Sequence, residues 1–152
     1  MSDTISFGKF GKTFQEGLCQ LILEDRIFAD RFLEVFSEKF LELKYLRVFT
    51  HMITEYRDEY GTHPGRTAIN AMMLTKLNDH PVVIIDQVKN FFQKTAESAV
   101  EDADYIKNQA LDFCRKQKLK EAMMISMQLL DRSSYDKISK VINTALLAGA
   151  EG

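Results

Sequence analysis

"DADYIKNQALDFCRKQKLKEAMMISMQLLDRSSYDKISKVINTALLAG", residues 102–149, decides the fold. Its first part reads as one long helix from Tyr105 to about Leu130, and its last part as a second helix from about Tyr135 to Leu147. "DRSSYD" is the turn between them, with Ser133 placed to cap the second helix and Asp136 three residues later, as in a capping box. The result is an αα-hairpin. Its first arm carries Leu119, Ala122, Met123, Met127 and Leu130, and its second a stripe of Ile138, Val141, Ile142, Ala145 and Leu146. Two helices packed only on each other leave part of such stripes wet. At roughly 25 cal/mol per Å2 of apolar surface, a partner that covered them would gain several side chains' worth of burial. The hairpin therefore needs either the rest of the chain or another subunit. The candidates for self-association are Met123, Met127, Leu130, Ile138, Val141 and Ile142.

Working back from the hairpin, composition changes at the acidic stretch "ESAVEDAD", residues 97–104. Before it, apolar residues recur at helical spacing: Phe14, Leu18, Leu21 and Ile22; Phe28, Phe32, Val35 and Phe36; then Leu46, Phe49, Met52, Ile53, Tyr56 and Tyr60. Gly61 suits the left-handed cap of the third stripe, and Pro64 prevents resumption, so "YGTHPG" is a loop. Thr67 is the expected cap of a short helix carrying Ile69, Met72, Met73 and Leu77. Val82 to Ile85 is a β-branched run that could form a strand. Val88, Phe91 and Phe92 continue a 3–4 spacing from Ile84, however, and Pro81 suits a first helical position, so the segment is expected to be a helix. The eleven phenylalanines, none beyond residue 113, supply the core of this part. The expected architecture is all-α: a flexible arm over 1–12, a small globular helical head over 13–100 and a long hairpin over 103–149.

"SFGKFGKT", residues 6–13, looks like a phosphate-binding loop, but Gly8 stands only three positions before Gly11-Lys12-Thr13. A P-loop needs a longer ring and a preceding buried strand, and the sequence has neither there. With 152 residues, 45% hydrophobic and 28% charged, the chain has the composition of one globular domain or a small domain with an appendage. A net charge of −2 gives no overall positive field toward nucleic acid. Cys19 and Cys114 are far apart, and no apolar leader follows the N-terminus, which reads as a cytoplasmic chain with free thiols. No apolar run approaches the roughly 20 residues that cross a bilayer.

Chemistry-bearing constellations are sparse. His51 and Glu55 share a helix face at i,i+4, which suits a surface pair better than a metal site without further ligands. His63 and His80 read as solvated turn residues beside prolines. Cys114 precedes Arg115 and Lys116, but no base accompanies it, so it reads as an ordinary helix cysteine. The one basic run is "RKQKLK", residues 115–120. Arg115, Lys116, Lys118 and Lys120 advance by roughly 100° per residue and so spread over more than one face. No aromatic residue lies between Phe113 and Tyr135 for base stacking, so protein docking fits this run better than single-stranded DNA.

"LKYLRVFTHMITEYRDEYGTHPGRTAINAMM", residues 43–73, followed by the hairpin sequence, resembles the N-terminal domain of DnaB-type replicative helicases, most of all the phage versions. The pieces fall in the family's order: a first helix in "TFQEGLCQLILED", a helix ending in a Tyr-Gly-x-x-Pro-type loop, a short helix, and a Tyr-led long helix with a basic "CRKQKLKEA" middle. The similarity spans residues 13 to 149 and rests on helix order and loop chemistry. It implies a head plus hairpin that dimerises and builds a trimer-of-dimers collar, with primase or a helicase loader docking on it. DNA would be touched only indirectly. The ATP site, its Mg and the 5′ to 3′ motor would belong to a separate RecA-like domain. The chain stops at "LLAGAEG", where the family continues toward its motor, so no cofactor is expected in this chain. It reads as a motor-free domain of a helicase active in a bacterial host's cytoplasm. The alternative is a stand-alone helical adaptor, such as a helicase loader or a phage regulator of a host protein.

Overall fold

Seven α-helices carry most of residues 5–150, which are the residues described by the computed structural model, and no strand occurs among them. They are α1 (Lys12–Glu24), α2 (Arg26–Phe32), α3 (Lys44–Tyr60), α4 (Arg66–Lys76), α5 (Val82–Thr95), α6 (Ala103–Asp131) and α7 (Tyr135–Leu147). Short 3-10 turns at Phe7–Phe10 and Glu38–Phe40 precede α1 and α3. The all-α architecture of a head and a hairpin is therefore present.

Most helix ends follow the local chemistry. Gly61 ends α3 in the left-handed region at φ +70°, and its N–H donates to the Arg57 carbonyl. Val82 to Ile85 begin a helix, with the Pro81 carbonyl accepting from the Ile84 and Ile85 N–H groups. Pro81 itself is the N-cap, one position earlier than its expected place. Thr67 is likewise not a cap. Gly65 takes extended backbone after Pro64 and its carbonyl accepts from Ile69, so α4 opens at Arg66 and Thr67 falls in its first turn. The second apolar stripe outruns its helix: α2 ends at Phe32, and Val35 and Phe36 lie in the turn that follows.

The expected flexible arm over 1–12 is corrected from residue 7 onward, residues 1–4 lying outside those described. Phe7 is fully buried, with its ring centroid 4.6 Å from Phe113, 6.1 Å from Phe14 and 6.4 Å from Phe40. Phe10 stacks on Phe14 at 4.5 Å. A ring of this size withdrawn from water holds its backbone in place. Ser6 caps the turn, its Oγ accepting from the Gly8 N–H at 3.0 Å.

The head core runs from this aromatic cluster to the edge-to-face pair of Phe49 and Phe91, with centroids 5.0 Å apart. Its buried polar groups are matched. Gln15, fully buried, accepts from the Glu42 N–H at 2.9 Å and donates to the Gly11 carbonyl at 3.3 Å. Gln20 donates to the Ser98 and Thr95 carbonyls at 2.7 and 3.2 Å, which pins the acidic loop before α6 onto α1. Ile106, Ala110, Leu111, Phe113 and Cys114 then take the first half of α6 into the same core. The expected boundary at residue 103 thus falls inside a continuous packing unit, and the hairpin stands clear of the head only in its distal half.

Candidate assembly and docking surface

The hairpin is fixed at its base and uncovered toward its tip. At the base, α7 ends against the head. The Arg31 Nε donates to the Gly149 carbonyl at 2.6 Å, and Arg115 donates to the Leu146 carbonyl at 3.1 Å. Carbonyls at a helix C-terminus lack intrahelical partners and carry the negative end of its dipole, so two guanidinium groups there are doubly favourable. Gly149, at φ +70°, brings its Cα against Val35 and Leu111, where a side chain would be both strained and crowded. Lys107 of α6 pairs with Asp25, whose carboxylate also accepts the Phe28 N–H at 3.0 Å and so caps α2. The lysine hydrogen bond, helped by that N–H, holds the Asp25 pKa below the usual carboxylate range.

Toward the tip the two helices touch only along a seam. Ala122 and Ala145 are buried in it, and Leu119, Ser126, Leu129, Ile138, Val141 and Ile142 are half-buried. Three of the six candidate self-association residues, Ile138, Val141 and Ile142, are therefore spent largely within the hairpin itself. The other three are free to meet a partner: Met123, Met127 and Leu130 are 55%, 70% and 57% exposed. Their i, i+4, i+7 spacing puts them on one flank of α6, in line with Lys116. Leu146 lines a groove with Lys116 and Leu119, which sets the Tyr135 and Leu146 edge of α7 beside that flank. Tyr135 and Leu146 are exposed as well. Leu146 belongs to the second-arm stripe but not to the self-association candidates, and Tyr135, at the start of α7, belongs to neither. The product is one apolar face, made by both helices, that none of the described residues covers.

The tip turn corrects the capping box. Ser133 sits in the left-handed region at φ +55°, its N–H donating to Leu130 and that of Ser134 to Leu129. This is a Schellman closure of α6 with serine where glycine is usual. Committed to ending α6, Ser133 cannot cap α7; Ser134 takes that position without a side-chain bond.

The basic run does not form one patch. Arg115 is engaged in the base clamp, Lys116 pairs with Asp112 at 2.9 Å, and Lys118 and Lys120 are exposed. The remaining motifs are structural. Gly8 has the Glu42 carboxylate against it, and the N–H groups of Gly8 and Gly11 are bonded to Ser6 and to the Gly8 carbonyl, so "GKFGKT" offers no phosphate cradle. His63 is corrected from solvated turn to latch: it contacts the Leu23 carbonyl and Arg57, each at 2.8 Å. His51 lies 3.0 Å from Glu38 and 3.4 Å from Glu55, a surface pairing. Burial pushes the Cys19 and Cys114 thiols up, away from nucleophilic thiolate. Among the described residues no group of three or more His, Cys, Asp or Glu is placed to hold a metal, and no helix is long and apolar enough to cross a membrane.

No family model, no curated protein and no solved structure matches the chain.

Proposed function

We propose that the chain is a non-catalytic assembly and docking domain of a DnaB-type replicative helicase, whose parent protein is an ATP-dependent 5′ to 3′ DNA helicase. Its work is to pair copies through the hairpin, as a dimer or a trimer-of-dimers collar, and to present that collar to primase or a helicase loader. The observation that supports this reading is the uncovered face of Met123, Met127, Leu130, Tyr135 and Leu146 on a hairpin whose base is clamped. A rigid apolar face of this kind gains by meeting its own copy across a two-fold axis. Docking falls to two exposed cations, Lys120 beside that face and Lys118 on the flank opposite it, with Arg115 and Lys116 held nearer the head.

Sedimentation equilibrium tests the assembly. The wild type is expected to dimerise reversibly, and Met127→Asp to weaken dimerisation by about tenfold or more, since a buried carboxylate has no counter-charge there. Because Met127 is exposed in the single chain, the variant's unfolding transition matches the wild type's at concentrations where both are monomeric. A wild type that remains monomeric at its highest soluble concentration removes the assembly reading. Calorimetric titration with the primase and loader encoded in the same genome tests the helicase reading, and an assembled chain that binds neither removes it.

A further inference from the structure

The flank of the hairpin opposite the apolar face is cationic. Lys118 and Arg132 lie on it at a spacing of two heptads along α6, with Ile125, 47% exposed, midway between them, and Lys137 lies beside Arg132 across the turn. All three are exposed and have no ion-pair partner among the described residues. The one carboxylate on this flank, Glu121, is taken by Lys39 at 3.8 Å. Asp131 and Asp136 leave the two helices from other sides at roughly 100° per residue. Helix dipoles account for Arg132 at the end of α6, but Lys137 stands in the first turn of α7, where a cation is disfavoured.

The complementary charge sits at the far end of the same molecule. Glu97, Glu101, Asp102 and Asp104 are exposed on the loop that Gln20 pins and on the first turn of α6, and they too have no ion-pair partner among the described residues. From Asp104 to Arg132 the helix spans about 42 Å at 1.5 Å per residue. The two charge sets cannot meet within one chain.

We infer that the cationic flank of the hairpin docks on the acidic 97–104 loop of a second copy. The contact rests on the assembly reading above and adds to it a second, head-to-tail interface. A face-to-face contact of apolar flanks is isologous and stops at a dimer; a flank-to-loop contact made in one direction only is heterologous and joins dimers into a larger array, a ring where the rotation closes. Exposed charges supply orientation and encounter rate more than depth, so this interface is the salt-sensitive one.

Sedimentation velocity on the full chain reads it. At low salt the wild type forms a species larger than a dimer, and raising salt from about 50 to 300 mM weakens that step by about tenfold or more while the dimer persists. Glu97→Lys with Glu101→Lys, and separately Arg132→Glu with Lys137→Glu, each leave the dimer and abolish the larger species. Mixing the two variants restores it, because each then offers the charge the other has reversed. Failure of the mixture to restore it, or a wild type that halts at the dimer in low salt, overturns the proposal while leaving dimerisation intact. A single-stranded oligonucleotide that binds in an Arg132- and Lys137-dependent way, with no larger species formed, reassigns the flank to nucleic acid. Circular dichroism on each variant establishes that the helices are retained.

Discussion

In the head, Phe7, Phe32 and Phe49 are wholly withdrawn from water, whereas along the seam between α6 and α7 the buried residues are two alanines, Ala122 and Ala145, and Met127 and Leu147 remain 70% and 72% exposed. One helix runs through both regions. In its first half α6 turns Ile106, Ala110, Phe113 and Cys114 toward the head; in its second it turns Leu119, Ala122, Ser126 and Leu129 toward α7, on a different side. Its apolar face changes direction midway, so no single stripe describes it. The difference teaches where each region gets its stability. The head closes its apolar surface by itself. The hairpin closes a narrow seam lined by small side chains and depends on its clamped base, which leaves the outer surface of both helices available to something else.

The hardest way to break that contrast is through the aromatic cluster. Phe7→Ala is expected to cost about 3–5 kcal/mol, the range for emptying a buried aromatic site, although Phe7 lies near the chain's start. Urea denaturation of a dimer-deficient chain such as Met127→Asp measures it without interference from assembly. A cost below about 1 kcal/mol would return residues 7–12 to the status of an arm. The contrast with Met127→Asp alone is the point: there a large apolar side chain is lost with little change in the monomer's unfolding, because in the single chain it is 70% exposed.

That contrast was only partly legible in the sequence. Helix positions, the Gly61 stop, the helical reading of Val82 to Ile85 and both arms of the hairpin follow from spacing and local chemistry, which a sequence displays directly. What escaped was decided by distant partners. Phe7 and Phe10 are too few to show a period, and their burial depends on Phe113, about a hundred positions away. His63 sits in a turn by sequence yet is held by Leu23. Ile138, Val141 and Ile142 looked available because a stripe on one helix does not say whether its neighbour is the hairpin's other arm or a second molecule. Arg31 belongs to α2 but holds a carbonyl at the end of α7, which no local pattern signals.

A smaller effect sharpens the comparison at the junction of head and hairpin. Asp25 ties α2 to α6 through Lys107, and its folded pKa lies below the ordinary aspartate value. A depressed carboxylate contributes stability above its unfolded pKa and loses it as pH falls through the folded one. In the wild type this contribution is full at neutral pH and fades below about pH 4. Asp25→Asn keeps an acceptor for the Phe28 N–H but removes the charge, so it should cost about 1 kcal/mol at pH 7, reduced from a buried pair's worth by partial exposure. The deficit should shrink as pH falls through the folded pKa, where the wild type becomes protonated too. Denaturant titrations stepped down from pH 7 into acid check it, and a deficit that stays unchanged along the whole series would place the effect in packing instead.

The smallest effect lies at the tip and has a decisive sign. If Ser133 capped α7, Ser133→Gly would lose a side-chain acceptor and destabilise the hairpin by a few tenths of a kcal/mol. With Ser133 at φ +55° and its N–H bonded to Leu130, glycine relieves the left-handed strain that a Cβ imposes, and the variant should be more stable by about 0.5–1 kcal/mol. The greater backbone freedom of glycine in the unfolded chain offsets part of that relief and keeps the gain small. Amide hydrogen exchange separates the cases locally: slower exchange along the last turn of α6, with the head unchanged, is the expected result. Faster exchange at the start of α7 would restore serine to the cap. Because α6 and α7 meet at the tip through this one closure, the outcome also measures how far the distal hairpin stands as a preformed surface before any partner arrives.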